Sequence, residues 1–320
     1  MCLLNFEIVV GDRLPIPFPP VPLSQPAQLA IVAWNGNREV LILTTVMKLG
    51  IDVRDSKSAG LGTITLLELL PLKSIPKVSL STPSVFYRIE SIVRGRIYAP
   101  LVGREETRGI TIIYEKTLGP HHITLVKATN PEELVNWIRK YAESHGMQIS
   151  EELSIEKYLE ILNDYMTRGY SYFSVDVISV KSYTFMITPI KYFFESDVAY
   201  YPLKVSNLYV ESTYVKLYII THERLREEDL EALGFHVTFE EKVPVVKLSF
   251  ERDILELFRG YEEVYLLVAE YKGKPNFKND LELTPAFSFR WLLPYVVFIA
   301  PIALGLLASR TIIAGKRDEN

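Results

Sequence analysis

Residues 129–180 read TNPEELVNWIRKYAESHGMQISEELSIEKYLEILNDYMTRGYSYFSVDVISV, and the change of period within them decides the fold class. Leu134, Trp137, Ile138 and Tyr141 recur at helical spacing behind a start signal: Thr129 or Asn130 as cap, Pro131 at the first helical position, Glu132 and Glu133 at the positive end. Gly146 can end that helix. A second helix sets Ile155, Tyr158, Leu159, Leu162, Tyr165 and Met166 on one face, with Gly169 after its last turn. From Ser171 the period drops to two, so that Phe173, Val175 and Val177 share one face of a strand. Two amphipathic helices followed at once by a strand predict a helical layer packed on a sheet.

Strand patterns extend outward on both sides. Upstream, Leu29–Ala33 and Glu39–Val46 flank Asn35-Gly36, a hairpin signal, after a proline-rich segment from Gly11 to Gln28 that reads as extended. Ile64–Leu72, Val85–Val93, Ile110–Lys116 and His122–Val126 complete a mostly β half. Downstream, Tyr183–Phe194, Val198–Val205, Val210–Thr221, His236–Phe250 and Val264–Tyr271 read as extended. Short helices are expected at Glu227–Leu233 and Glu251–Arg259, and a polar stretch at Lys272–Thr284. The expected class is α+β, mostly antiparallel sheets with two central amphipathic helices, plus one C-terminal transmembrane helix. The expected divisions are 1–126, a β-rich half; 127–284, an α+β half or a continuation of the first; 285–314, the anchor; and 315–320, a charged tail.

The anchor rests on the nineteen residues Trp291–Ser309, WLLPYVVFIAPIALGLLAS, which hold no charge. As a helix they would span roughly 28 Å, the thickness of a bilayer's hydrocarbon core. Trp291 and Tyr295 stand at the entry, where amphipathic rings favour the headgroups, and Arg310, Lys316 and Arg317 follow the exit. Pro301 in the interior is tolerable in a spanning helix, where neighbours re-satisfy the freed carbonyls. The exit cations favour a cytoplasmic C-terminus and an extracytoplasmic body at the cell membrane. Export would need a signal that Met1–Val10 does not supply, since it lacks a basic start and carries Glu7. Either the reading frame begins further upstream, or the chain is tail-anchored with a cytoplasmic body.

Composition narrows the rest. The 320 residues are 48% hydrophobic and 23% charged, with one cysteine, which excludes disorder and a disulfide scaffold. A net charge of −4 supplies no field for nucleic acid. Mean hydropathy is +0.12, raised by the anchor and by a strand-rich body. Glutamine occurs only at 25, 28 and 148, a bias shared with thermophile proteins.

His121 and His122 are the metal-ligand candidates, being the one histidine pair. Adjacent strand residues point to opposite faces, so the two cannot chelate one ion together unless the chain turns. The acidic pairs at 105–106, 132–133, 151–152, 227–229 and 240–241 fall mostly at expected helix starts or on polar faces, where a role as paired catalytic carboxylates is not required. No phosphate loop, nucleophile elbow or zinc-protease motif is present, and no cofactor is expected.

Several positions carry a resemblance between Pro131 and Arg224. They are Leu134, Trp137 and Ile138, Tyr158, Gly169 before Tyr172-Phe173, Pro189-Ile190, Phe194-Glu195-Ser196, the run Tyr201-Pro202-Leu203-Lys204-Val205-Ser206, and Leu217-Tyr218-Ile219-Ile220 before Arg224. In these the chain resembles the domain of unknown function family 2330, which implies an exported, membrane-anchored envelope protein with no assigned activity or catalytic residue. The expected function is therefore a single-pass membrane protein with an extracytoplasmic binding or structural domain. Its expected partners are the lipid bilayer and another envelope protein. The alternatives are a membrane-tethered hydrolase, in which carboxylates and His121 or His122 converge only in space, and a tail-anchored cytoplasmic scaffold.

Overall fold

In the computed structural model, which describes residues 16–18, 23–49, 64–95, 113–145, 147, 155–180, 184–208 and 212–285, the expected hairpin is formed by β2 (Leu23–Trp34) and β3 (Arg38–Leu49). Asn35 Oδ1 accepts from the backbone N–H groups of Asn37 and Arg38, at 3.2 and 3.0 Å, and holds the turn. Gly36, between Asn35 and Asn37, has φ +92°, and a Cβ there would meet the His222 ring at 3.2 Å. Both the conformation and the close approach call for glycine.

The hairpin is the centre of an eight-stranded sheet. Its order is β13 (His236–Pro244), β14 (Glu263–Gly273), β12 (Thr213–Thr221), β2, β3, β10 (Ile190–Glu195) and β5 (Lys77–Leu80), with β9 (Thr184–Met186) also on β3. Among the described strands, only β12 and β2 run parallel. A five-stranded antiparallel sheet follows the order β1 (Ile16–Phe18), β4 (Ile64–Leu72), β8 (Tyr172–Val180), β7 (His121–Lys127) and β6 (Tyr114–Leu118). A small two-stranded sheet pairs β11 (Ala199–Tyr201) with β15 (Leu281–Leu283). Strands from before and after residue 126 interleave in both large sheets.

Alternation along β2 and β3 feeds two separate cores. Ala30, Val32, Leu41 and Leu43 belong to one, Ile31, Ala33, Val40 and Ile42 to the other. A strand covered on both faces carries an unbroken apolar run, as Leu29–Trp34 does. The second core is closed by α1 (Ser84–Val93), through Val85, Phe86 and Ile89, and by α5 (Arg252–Leu257), through Ile254 and Leu257. The five-stranded sheet covers the first core. Its own outer face receives α2 (Pro131–Ser144) and α3 (Ile155–Thr167): Tyr141 of α2 hydrogen bonds to Thr124 of β7, and Leu162 and Tyr165 of α3 line a recess with Leu69 and Pro71 of β4. The layers thus run helix, eight-stranded sheet, five-stranded sheet, helix. α2 starts as its sequence requires, with Pro131 at its first position and the Asn130 side chain accepting from Glu133 N at 3.0 Å.

Other segments differ from expectation, each for a local reason. Val85–Val93 is helical rather than extended, because Val85, Phe86 and Ile89 meet the sheet as one helix face. The long strand expected at Tyr183–Phe194 breaks between β9 and β10, where Thr188 precedes Pro189. Val198–Val205 yields only β11 before Pro202 and a 3₁₀ turn at Lys204–Leu208. His236–Phe250 ends as a strand at Pro244, and the polar stretch after Lys272 contributes β15. The short acidic helix forms as α4 (Glu227–Glu231). Trp291, Tyr295, Pro301, Arg310, Lys316 and Arg317 lie outside the described residues, and no described helix is long and apolar enough to cross a membrane.

Candidate functional site

Pleating sends the two candidate histidines in opposite directions, and the structure shows what each one meets. His121 points between the two large sheets and is fully buried. Its Nδ1 lies 2.6 Å from Asp176 Oδ2 on neighbouring β8, and its Nε2 lies 2.8 Å from the carbonyl oxygen of Thr188, between β9 and β10. The imidazole therefore joins one sheet to the other. Asp176 is in register with Glu68 of β4 on its other side, so two buried carboxylates and one histidine share the inner face. The outer face takes His122. Its ring sits 5.3 Å from that of His145, the residue that ends α2, and Thr117 Oγ1 lies 2.9 Å from its Nδ1.

A second polar cluster lies at the end of α3, where the sequence marks Tyr165 as part of the helix's apolar face and Gly169 as its stop. Arg168 has its guanidinium over the rings of Tyr165 and Tyr170, at 4.7 and 5.0 Å from their centroids. Its three nitrogens donate to Asp164 at 2.9 Å, Asp280 at 2.7 Å and Glu282 at 3.3 Å. Asp280 is buried, and its other oxygen accepts from Tyr165 OH at 2.8 Å and Lys204 N at 2.7 Å. Tyr170 OH donates to Glu282 at 2.6 Å. Burial, reinforced by these carboxylates, holds the Tyr165 and Tyr170 phenols well above their ordinary range, so they remain donors. Three residues before Asp280, the Asn207 side chain exchanges two hydrogen bonds with the Phe277 backbone, each 2.6 Å long. Together these contacts form a clasp that fastens the strap from Phe277 to Leu283 against α3 and β11. The sequence signal was an alternation, Asp280 and Glu282 polar against Leu281 and Leu283 apolar, too short to read as a strand.

Glu39 is a further buried ionisable group, on β3 beside the hairpin turn, and it accepts from Tyr200 N at 2.7 Å. Burial drives its carboxyl well above the ordinary value of 4.5, and the one backbone hydrogen bond only partly opposes this. A raised acid pKa means that stability is full below the unfolded value and falls as pH climbs toward the folded one. Glu39→Gln cannot titrate. As pH rises above about 4.5, the wild type should lose stability progressively relative to the variant, by urea unfolding at each pH. Parallel pH profiles for the two proteins would show that Glu39 stays ionised.

The acidic pairs at 227–229 and 240 form surface ion pairs with Arg224 and Arg226, remote in role from either histidine. Among the described residues, no group of three or more His, Cys, Asp or Glu side chains is placed to hold a metal ion together.

Comparison with known proteins adds the following. A family model described as "Uncharacterized protein conserved in bacteria (DUF2330)" matches residues 97–283. No curated protein matches the chain. Among solved structures, that of baculovirus P35 is 13% identical with a TM-score of 0.40, over 71% of this chain and 76% of that one. The caspase-8/P35 complex gives 9% identity and a TM-score of 0.37, over 82% of this chain and 97% of that one.

Proposed function

We propose that this chain, which belongs to the bacterial family DUF2330, is a single-pass membrane protein whose α+β body works outside the cytoplasm by binding or by structural interaction with another envelope protein. The observation that carries this reading is the clasp. It fixes the chain to the body as far as Glu282, and Pro285 still bridges to Leu225. Trp291, the first residue of the uncharged run, follows six positions later. Six residues reach about 20 Å at most, so an anchor beginning at Trp291 would hold the body close against the bilayer. A clasp with three carboxylates, one guanidinium and two tyrosines at that point would carry load from the anchor into α3 and the sheets. The exit cations Arg310, Lys316 and Arg317 support a cytoplasmic C-terminus.

Protease digestion of right-side-out membrane vesicles tests the topology. The body should be degraded from outside while a short C-terminal fragment stays with the membrane. A body protected in these vesicles and cut in inverted ones would overturn the extracytoplasmic placement, and a chain released by carbonate washing would overturn the anchor itself.

A further inference from the structure

The outer face of β7 meets the C-terminal end of α2 at a pair of imidazoles, His122 and His145. His145 continues a ladder of rings along one side of α2, with Trp137 and Tyr141 stacked at 4.7 Å and Tyr141 and His145 at 4.4 Å. The His145 Nδ1 lies 2.8 Å from the Tyr141 carbonyl oxygen, which can only accept, so Nδ1 is a donor, and in the neutral ring Nε2 carries the lone pair. For His122, the hydroxyl of Thr117 at 2.9 Å can accept from Nδ1–H and leave Nε2 in the same state. A ring nitrogen held by an oxygen, with the other nitrogen left as a base, is the usual support of a metal-binding histidine. Spacing agrees as well. Two imidazoles on one tetrahedral ion, with metal–nitrogen bonds of about 2.0–2.1 Å, hold their centroids about 5 Å apart, and these two are 5.3 Å apart. His145 is exposed and His122 half-buried, so the pair is open to solvent ions.

We propose that His122 and His145 form a binding site for one divalent transition cation of the zinc, nickel or copper type, with water completing the coordination. Neutral imidazole suits these borderline ions, whereas magnesium prefers oxygen donors. The site is independent of the anchor and of the clasp.

The test is titration of the untagged full chain, in detergent micelles, with zinc chloride, copper sulfate and magnesium chloride by calorimetry. One saturable equivalent is expected for zinc, tighter binding for copper, and none for magnesium. His145→Gln and His122→Gln should each abolish the saturable phase, and His236→Gln, at an isolated exposed histidine, should leave it unchanged. Thr117→Val should weaken binding by about 10–100-fold without removing either ligand. Absence of saturable zinc and copper binding in the wild type would overturn the proposal, as would equal binding by the His122→Gln/His145→Gln double variant. His145 sits at the exposed helix end, so its variant keeps the test decisive even if His122→Gln fails to fold.

Discussion

Arg168→Met should destabilise the protein by about 3–5 kcal/mol in equilibrium urea unfolding, because it strands Asp280 in a buried site without its counter-charge. Methionine preserves much of the stem that lies over Tyr165 and Tyr170 while removing the guanidinium, so the loss reports the charge rather than the packing. Arg168→Lys should recover only part of it. An ammonium can meet one carboxylate as a point charge, but it lacks the fork that meets Asp164, Asp280 and Glu282 together. Lysine at 168 would also lose the planar contact with two rings. The same substitution should expose the strap between Phe277 and Leu283 to proteolysis before the sheets unfold, since the two-stranded pairing of β11 with β15 spans only three residues. A loss below about 1 kcal/mol would class the cluster with ordinary surface ion pairs and remove the clasp as the load path in the proposed function.

How much of this was legible depended on whether the deciding contact was local. The hairpin, α2 and α3 were readable because cap, turn residue and apolar period lie within one short window. Arg168 and Asp280 are 112 positions apart, and His121 and Asp176 are 55 apart, so no window holds either pair. A second cause was the number of layers. Alternation along β8 identified Phe173, Val175 and Val177 as one face and left Ser174 and Asp176 on the other, with nothing local to say what that face meets. Both faces of that sheet are covered, by helices on one side and by the eight-stranded sheet on the other. Asp176 is 1% exposed and Ser174 is buried against Tyr192. Polar residues on such a strand are not a wet face but the bonding between two sheets. The same reasoning explains α1: Val85, Phe86 and Ile89 have the spacing of a helix, but a short apolar run between strands carries too few repeats to decide the period.

His121→Leu should cost about 3–5 kcal/mol, and the double variant His121→Leu/Asp176→Leu should cost less than either single one. The single change leaves the Asp176 carboxylate buried where its partner stood 2.6 Å away, and it frees the Thr188 carbonyl as well. Replacing both partners by apolar groups removes the charge together with the need for compensation, leaving the Thr188 carbonyl as the main residual penalty. Urea unfolding of the four proteins in the cycle gives the coupling directly, and a cycle that is additive within about 0.5 kcal/mol would deny the pair any clamping role. The outcome also bears on the hydrolase alternative. A general base must reach the proton it removes, directly or through one water. His121 has no exposed surface and both ring nitrogens already face oxygens of the protein, so substrate could reach it only by parting the two sheets at β7 and β9. That parting breaks the same contacts whose strength the cycle measures. A strongly coupled pair therefore means a closed interface and a histidine that holds the sheets together, whereas a weakly coupled one would leave open a route by which this carboxylate and imidazole could meet a substrate.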